Sequence, residues 1–181
     1  MKLGLLFLTE AAVAGKRKKQ AQLDDVETFS IGEKDYTIVH ADPMSFWEAK
    51  KYCDSIGFGL PVPKNDEENR ELSQLEGGNF YLGITQEKGH NTGLIGSEWR
   101  NVYSGQRVSY TNWRWGQPNN YNYNEHYAIM LMWGNSSSTG TWNDGSVDGR
   151  NNASWQRKQT ICWKSKFWNF IFNFSRPFKR L

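Results

Sequence analysis

Residues 85–124 constrain this chain more than any other stretch. They are rich in Gly, Asn and Ser, with Trp and Tyr scattered through them. An apolar run stands on either side: Phe80-Tyr81-Leu82-Gly83-Ile84 before it, and Ala128-Ile129-Met130-Leu131-Met132-Trp133 after it. Both runs read as buried strands. A connection this long is uncommon inside a compact domain, and where it occurs it is usually functional. The fold must therefore carry a long polar loop between two core strands, and that loop is where function is expected.

The flanking sequence supplies the frame. Tyr36-Thr37-Ile38-Val39 is β-branched and aromatic and reads as a short strand. Asp42-Pro43 offers an N-cap followed by proline at the first helical position. Phe46, Ala49, Tyr52, Cys53 and Ile56 then recur at helical spacing, so Cys53 faces the core from a helix that Gly57 and Gly59 end. A second helix is expected from Asn65, with Glu68 completing a capping-box pattern, through Leu72 and Leu75 to Gly77-Gly78. Thr160-Ile161-Cys162 reads as a last strand, and residues 134–140 as another polar loop. There is no internal repeat.

The ends of the chain differ from its middle. Residues 1–14 combine a basic start, a short apolar run and small residues, the pattern of a secretory signal peptide. Glu10 interrupts that run and Lys16-Arg17-Lys18-Lys19 follows it, so a frayed basic N-terminus stands as the alternative. Residues 15–27 read as a basic linker, 28–164 as one folded domain and 165–181 as a basic aromatic tail. That tail has two readings: contact with an anionic membrane surface, or packing on the domain or disorder. Pro177 argues against one continuous helix there. The net charge of +3 is too small to point to nucleic acid, and no run approaches the ~18 apolar residues of a transmembrane helix. The two cysteines, Cys53 and Cys162, lack metal-binding spacing, so a single long-range disulfide in an oxidising compartment is the best reading. In a secreted chain Asn135, Asn152 and Asn173 are N-glycosylation acceptors.

Three short segments concentrate oxygen donors: Gln117-Pro118-Asn119, Asn124-Glu125 and Trp142-Asn143-Asp144. Glu125 and Asp144 supply carboxylates, and Gln117, Asn119 and Asn143 supply amide oxygens. Hard cations such as Ca²⁺ take six to eight oxygens of this mixture. No Cys or His completes a softer set, which argues against zinc. A proline between two donors fixes the backbone, and a cis bond there would aim both at one ion. The alternative is that these side chains simply face water. Catalysis is the weakest option, because His40, His90 and His126 have no nucleophile at a recognisable spacing.

Taken together and in order, these pieces resemble the C-type lectin-like domain. Phe46-Trp47-Glu48-Ala49-Lys50-Lys51-Tyr52-Cys53 looks like its first helix and first cysteine, and Leu60-Pro61-Val62-Pro63 like the lead into its second helix. Tyr81-Leu82-Gly83-Ile84 is similar to its Trp-Ile-Gly-Leu core strand. Gln117-Pro118-Asn119 falls where sugar-binding members carry Glu-Pro-Asn or Gln-Pro-Asp. Glu125 follows at the position of the next calcium ligand, Trp142-Asn143-Asp144 matches the Trp-Asn-Asp strand, and Thr160-Ile161-Cys162 the closing strand.

The resemblance implies an α+β, double-loop fold in which two helices flank small antiparallel sheets and a long loop holds calcium. It implies a Cys53–Cys162 disulfide stapling the ends of the domain. It also implies that Gln117, Asn119, Glu125, Asn143 and Asp144 bind both Ca²⁺ and neighbouring hydroxyls of a sugar. The expected function is that of a secreted, non-enzymatic lectin recognising glycans on microbial or cell surfaces. Gln-Pro-Asn is a hybrid motif. Asn119 keeps its mannose-type half, whereas Tyr121 lies near where galactose binders stack an aromatic ring. Mannose-type binding is the reading adopted. A lectin-like module that binds a protein, and a membrane-active lectin using its tail, are the alternatives. The chain departs from the family in a longer span from Glu125 to Asn143, with an insertion near residues 134–140, in an extra tail from Lys164 to Leu181, and in lacking both halves of a second disulfide. Tyr127 and Ser154 or Trp155 stand where an inner disulfide is usual.

Overall fold

A computed structural model describes residues 26–40, 42–86, 98–133, 136–146 and 159–165. The expected signal peptide, most of the linker, His90, Asn135, Asn152, Asn173, Ser154, Trp155 and the tail from residue 166 lie outside the described residues. Among the described residues no helix is long and apolar enough to cross a membrane.

Two antiparallel sheets organise the chain. The first has the order β1-β2-β7, from β1 (Val26–Ile31), β2 (Lys34–Val39) and β7 (Thr160–Ser165). β1 and β2 form a hairpin closed at Gly32, whose φ of +54° suits a residue without a Cβ. β2 then pairs with β7 in continuous register from Lys34↔Ser165 to Val39↔Thr160, which brings the two ends of the domain side by side. β1 begins inside the stretch expected as linker. Its alternation is weak, with mostly exposed residues, so little in the sequence marks it as a strand.

Helix α1 (Phe46–Ser55) starts later than the Asp42-Pro43 pattern suggests. Ser45 is its N-cap. The Ser45 hydroxyl accepts from the Glu48 amide at 3.4 Å, and the Glu48 carboxylate accepts from the Ser45 amide at 2.9 Å. This reciprocal pair satisfies two amides at once, which a lone Asp before proline cannot do. Phe46, Ala49 and Cys53 form the buried face, as the spacing predicts, while Ile56 is the exposed C-cap. Cys53 is bonded to Cys162 on β7, with Cα atoms 5.4 Å apart and both residues fully buried. Helix α2 (Asp66–Ser73) begins at Asn65 as expected, its side chain accepting from the Glu68 amide at 2.9 Å.

The second sheet has the order β4-β3-β5-β6: β4 (Trp99–Asn101), β3 (Phe80–Gln86), β5 (Tyr127–Met130) and β6 (Trp142–Gly145). β3 is buried almost throughout, matching its continuous apolar run. β5 is shorter than its apolar run. After Met130 the chain turns off, with the Leu131 amide donating to Thr141 O and the Met132 amide to the Asn79 side chain at 2.8 Å. Tyr36, Phe80, Leu82, Ile84, Met130, Trp142 and Ile161 fill one core cluster, while Phe46, Tyr81, Tyr127, Ile129 and the disulfide fill a second.

Candidate functional site

β6 presents its tripeptide motif to two different environments. Trp142 and Asp144 are fully buried, and Asn143 between them points the other way, the period-two alternation of a strand. Trp142 fixes the strand. Its indole Nε1 donates to Asn69 on α2 at 2.7 Å, its amide donates to Asn112 O at 2.7 Å, and its carbonyl accepts from the Arg114 amide at 2.8 Å. Gly140 adds a second bolt. Its carbonyl accepts from the side-chain amides of both Asn69 (3.0 Å) and Asn112 (2.9 Å). Gly140 has φ +82°, and a Cβ there would come within 2.8 Å of Ser73, so only glycine fits.

The long loop is thus laid against β6 before it reaches the donor residues. A turn follows, with the Gln117 amide donating to Arg114 O at 2.9 Å, and the Gln117–Pro118 bond is cis. Beyond it the backbone is held by side chains. The Asp144 carboxylate accepts from the amides of Asn119 (3.1 Å) and Asn120 (2.6 Å). Asn119 Oδ1 and Glu125 Oε2 both accept from the Tyr121 amide, at 3.0 and 3.1 Å, and Asn120 Oδ1 accepts from the Glu125 amide at 3.1 Å. Asn120, Asn122 and Tyr123 all have positive φ, near +50°. Asn tolerates that region, but a tyrosine there is strained, and such strain gathers at functional sites.

These contacts enclose an open cavity of about 530 Å³ lined by Arg114, Gln117, Asn119, Tyr121, Glu125, Leu131, Trp133 and Asn143. Four of the five residues singled out from sequence as metal and sugar ligands therefore meet in one place. Asp144 stands apart. It is wholly buried beneath the loop, with both carboxylate oxygens engaged by backbone amides. Burial pushes its carboxyl pKa upward, while the amides of Asn120 and Asn119 pull the other way. Tyr121 does line the cavity and is 68 % exposed, whereas Tyr123, at 77 %, points elsewhere. Arg114, Leu131 and Trp133 are cavity residues the sequence did not single out. Leu131 and Trp133 lie beyond the end of β5 at Met130, so no strand period marks them as facing the cavity.

The donor chemistry suits a hard cation. Among the described residues no group of three or more His, Cys, Asp and Glu side chains is placed to hold a metal, so amides must supply part of any shell. Gln117 Oε1 is buried and has no hydrogen-bond partner among the described residues. A buried unpaired acceptor costs roughly 1–3 kcal/mol, and a cation in the cavity would satisfy it. Gln117, Asn119, Glu125 and Asn143 offer only oxygens of the kind calcium takes.

A family profile described as "Lectin C-type domain" matches residues 42–164. The chain belongs to the C-type lectin domain family. The fold agrees. The mouse scavenger receptor C-type lectin carbohydrate-recognition domain superposes with a TM-score of 0.57 at 23% identity, covering 77% of this chain and 94% of that one. The human counterpart gives 0.58 at 22%, covering 76% and 95%. A calcium-independent type II antifreeze protein is similar to the same degree, with a TM-score of 0.57 at 20% identity, covering 76% and 91%. C-type lectin domains are in general calcium-binding, carbohydrate-recognising and non-catalytic, and the antifreeze protein shows that the fold itself does not require the ion. In this C-type lectin domain Tyr127 is buried against Phe46 with ring centroids 4.3 Å apart and also meets Trp47 and Tyr81. Aromatic packing holds the base of the loop at that end.

Proposed function

We propose that this chain is a secreted, calcium-dependent lectin of mannose type that recognises glycans on microbial or cell surfaces and catalyses nothing. The observation that carries the reading is the convergence of Gln117, Asn119, Glu125 and Asn143 on one cavity around the unpartnered Gln117 oxygen. A calcium ion held there would coordinate two neighbouring hydroxyls of one sugar and offset much of their desolvation. The chain's own groups complete the recognition. Amide N–H groups of Asn119 and Asn143 donate to the hydroxyl oxygens, while the Glu125 carboxylate and the Gln117 oxygen accept hydroxyl protons. Asp144 holds residues 119–120 in place and sets a second negative charge beneath the cavity. The exposed ring of Tyr121 offers a face to the apolar side of the sugar, worth about 1 kcal/mol.

Only two carboxylates serve the site, and no inner disulfide braces the loop at Tyr127. Affinity for calcium falls with fewer charged ligands and with looser sites, so a dissociation constant on the order of 10⁻³ M is expected, in the range of extracellular modules. The test is binding to immobilised mannose and galactose with calcium and with a chelator, alongside a calcium titration. Mannose binding that the chelator removes supports the reading. Sugar binding that ignores the chelator, or calcium binding with no sugar recognition, sinks it.

A further inference from the structure

Arg114 lies in the same cavity and the lectin reading leaves it without a task. Its backbone is anchored twice, by its amide to Trp142 O and by its carbonyl to the Gln117 amide, so it enters the site on the turn that delivers Gln117. Its guanidinium carbon sits over the Trp133 ring, 4.9 Å from the centroid. None of its side-chain N–H groups has an acceptor among the described residues, and no carboxylate pairs with it there. A guanidinium stacked on an aromatic ring is pre-oriented, and its planar fork of donors matches a carboxylate or a sulfate. The charge balance points the same way. Among the described residues Arg114 has no ion pair, so its charge is open to a ligand in the cavity. A neutral sugar would leave that charge facing only water, whereas an anionic substituent beside the coordinated hydroxyls would neutralise it.

We propose that Arg114 makes this site select acidic sugars, those bearing a carboxylate or sulfate next to the hydroxyl pair. The inference rests on the calcium-dependent lectin reading above. Trp133 acts as a positioning residue for the guanidinium. The same charge opposes the cation, so Arg114 strengthens acidic-sugar binding while weakening calcium binding in the absence of sugar. A residue that merely packs on Trp133 would do neither.

The experiment uses sugar pairs that differ only at C6. The methyl glycosides of glucose, glucuronic acid and glucose 6-sulfate are titrated into calcium-loaded protein, with the galactose series in parallel to cover the other hydroxyl arrangement. Intact protein should bind an acidic member at least tenfold more tightly than its neutral counterpart, a difference of ~1.4 kcal/mol. The carboxylate and sulfate arms report which group is preferred. Arg114→Gln should bring the acidic sugar down to parity with the neutral one and tighten calcium binding measured in the absence of sugar; unchanged calcium affinity would show that the guanidinium does not oppose the ion. Arg114→Lys should retain only part of the preference. Thermal unfolding of both variants should match the parent, because the side chain is exposed and lies against the Trp133 ring. No preference in the intact protein, or a preference that survives in Arg114→Gln because the acid chelates the ion directly, overturns the inference while neutral-sugar binding keeps the lectin reading intact. Absence of calcium-dependent binding to every neutral and acidic sugar overturns both.

Discussion

The half of the molecule built on β1, β2, β7 and α1 is held very differently from the half built on residues 112–145. In the first, main-chain ladders run in continuous register, an apolar helix face packs on them, and the disulfide joins α1 to β7. In the second, one short ladder joins β5 to β6, and outside it single side chains bind the backbone. Asn69 and Asn112 hold Gly140, Asp144 holds residues 119 and 120, and Asn120 and Glu125 close the turn around Tyr121. Ladders repeat, so losing one bond changes little. A side chain that bridges two segments has no understudy. The frame should therefore tolerate polar substitutions, and the loop half should respond to each of them separately.

The largest effect tests the frame. The disulfide spans 109 residues. Chain-entropy arguments make a loop of that length worth roughly 4–5 kcal/mol. Replacing Cys53 and Cys162 by serine should lower the thermal midpoint accordingly while calcium affinity of the folded fraction stays unchanged. A variant as stable as the parent would mean the ladders alone carry that half. Next comes Asn69→Leu, which sits on α2 yet ties down the other half. Trp142 Nε1 loses its acceptor and Gly140 O loses a donor, which should cost about 2–3 kcal/mol in denaturant titration. Calcium binding should weaken with it. If stability falls alone, the two halves are less coupled than the contacts indicate.

Glu125→Gln keeps the shape and removes the only carboxylate that lines the cavity among the described residues. Calcium affinity measured by calorimetry should fall by roughly thirtyfold, about 2 kcal/mol, with unfolding unchanged. Normal affinity would remove Glu125 from the ligand set. Gln117→Glu reverses the sign and should tighten calcium by roughly tenfold, ~1.4 kcal/mol. Unchanged or weaker binding would show that Gln117 does not touch the ion. The smallest effect concerns backbone strain. Tyr123 is exposed and held at φ +56°. Glycine at that position relieves the left-handed strain but loses chain entropy, so Tyr123→Gly should stabilise by only about 0.5 kcal/mol. Destabilisation would mean the ring packs in solution.

The same contrast explains what could be read from the sequence. Periodic features were legible: the buried face of α1, the Asn65 cap of α2, the apolar strand β3. The start of α1 was misplaced because proline at a first helical turn is a strong local signal. The competing Ser45–Glu48 pair shows its value only when both of its bonds are counted. β4 escaped notice because Trp99-Arg100-Asn101 is too short to display a period. In the loop half, the donor residues could be named from their chemistry and from family resemblance. Their division of labour could not. Nothing local says that Asp144 is consumed by the amides of Asn119 and Asn120. Nor does anything local say that Arg114 meets Trp133 across the turn.

Trp142, Asn143 and Asp144 alternate inside, cavity, inside, and β5 fixes the phase through Ile129↔Asn143 and Ala128↔Asp144. The identity of the donor facing the cavity is therefore a matter of parity. A slip of one residue would turn the indole and the carboxylate out and the amide in, so one insertion or deletion between Met130 and Trp142 threatens the site more than many substitutions. The turn at residues 136–140, bolted through Gly140 to both Asn69 and Asn112, acts as the index pin that keeps the count.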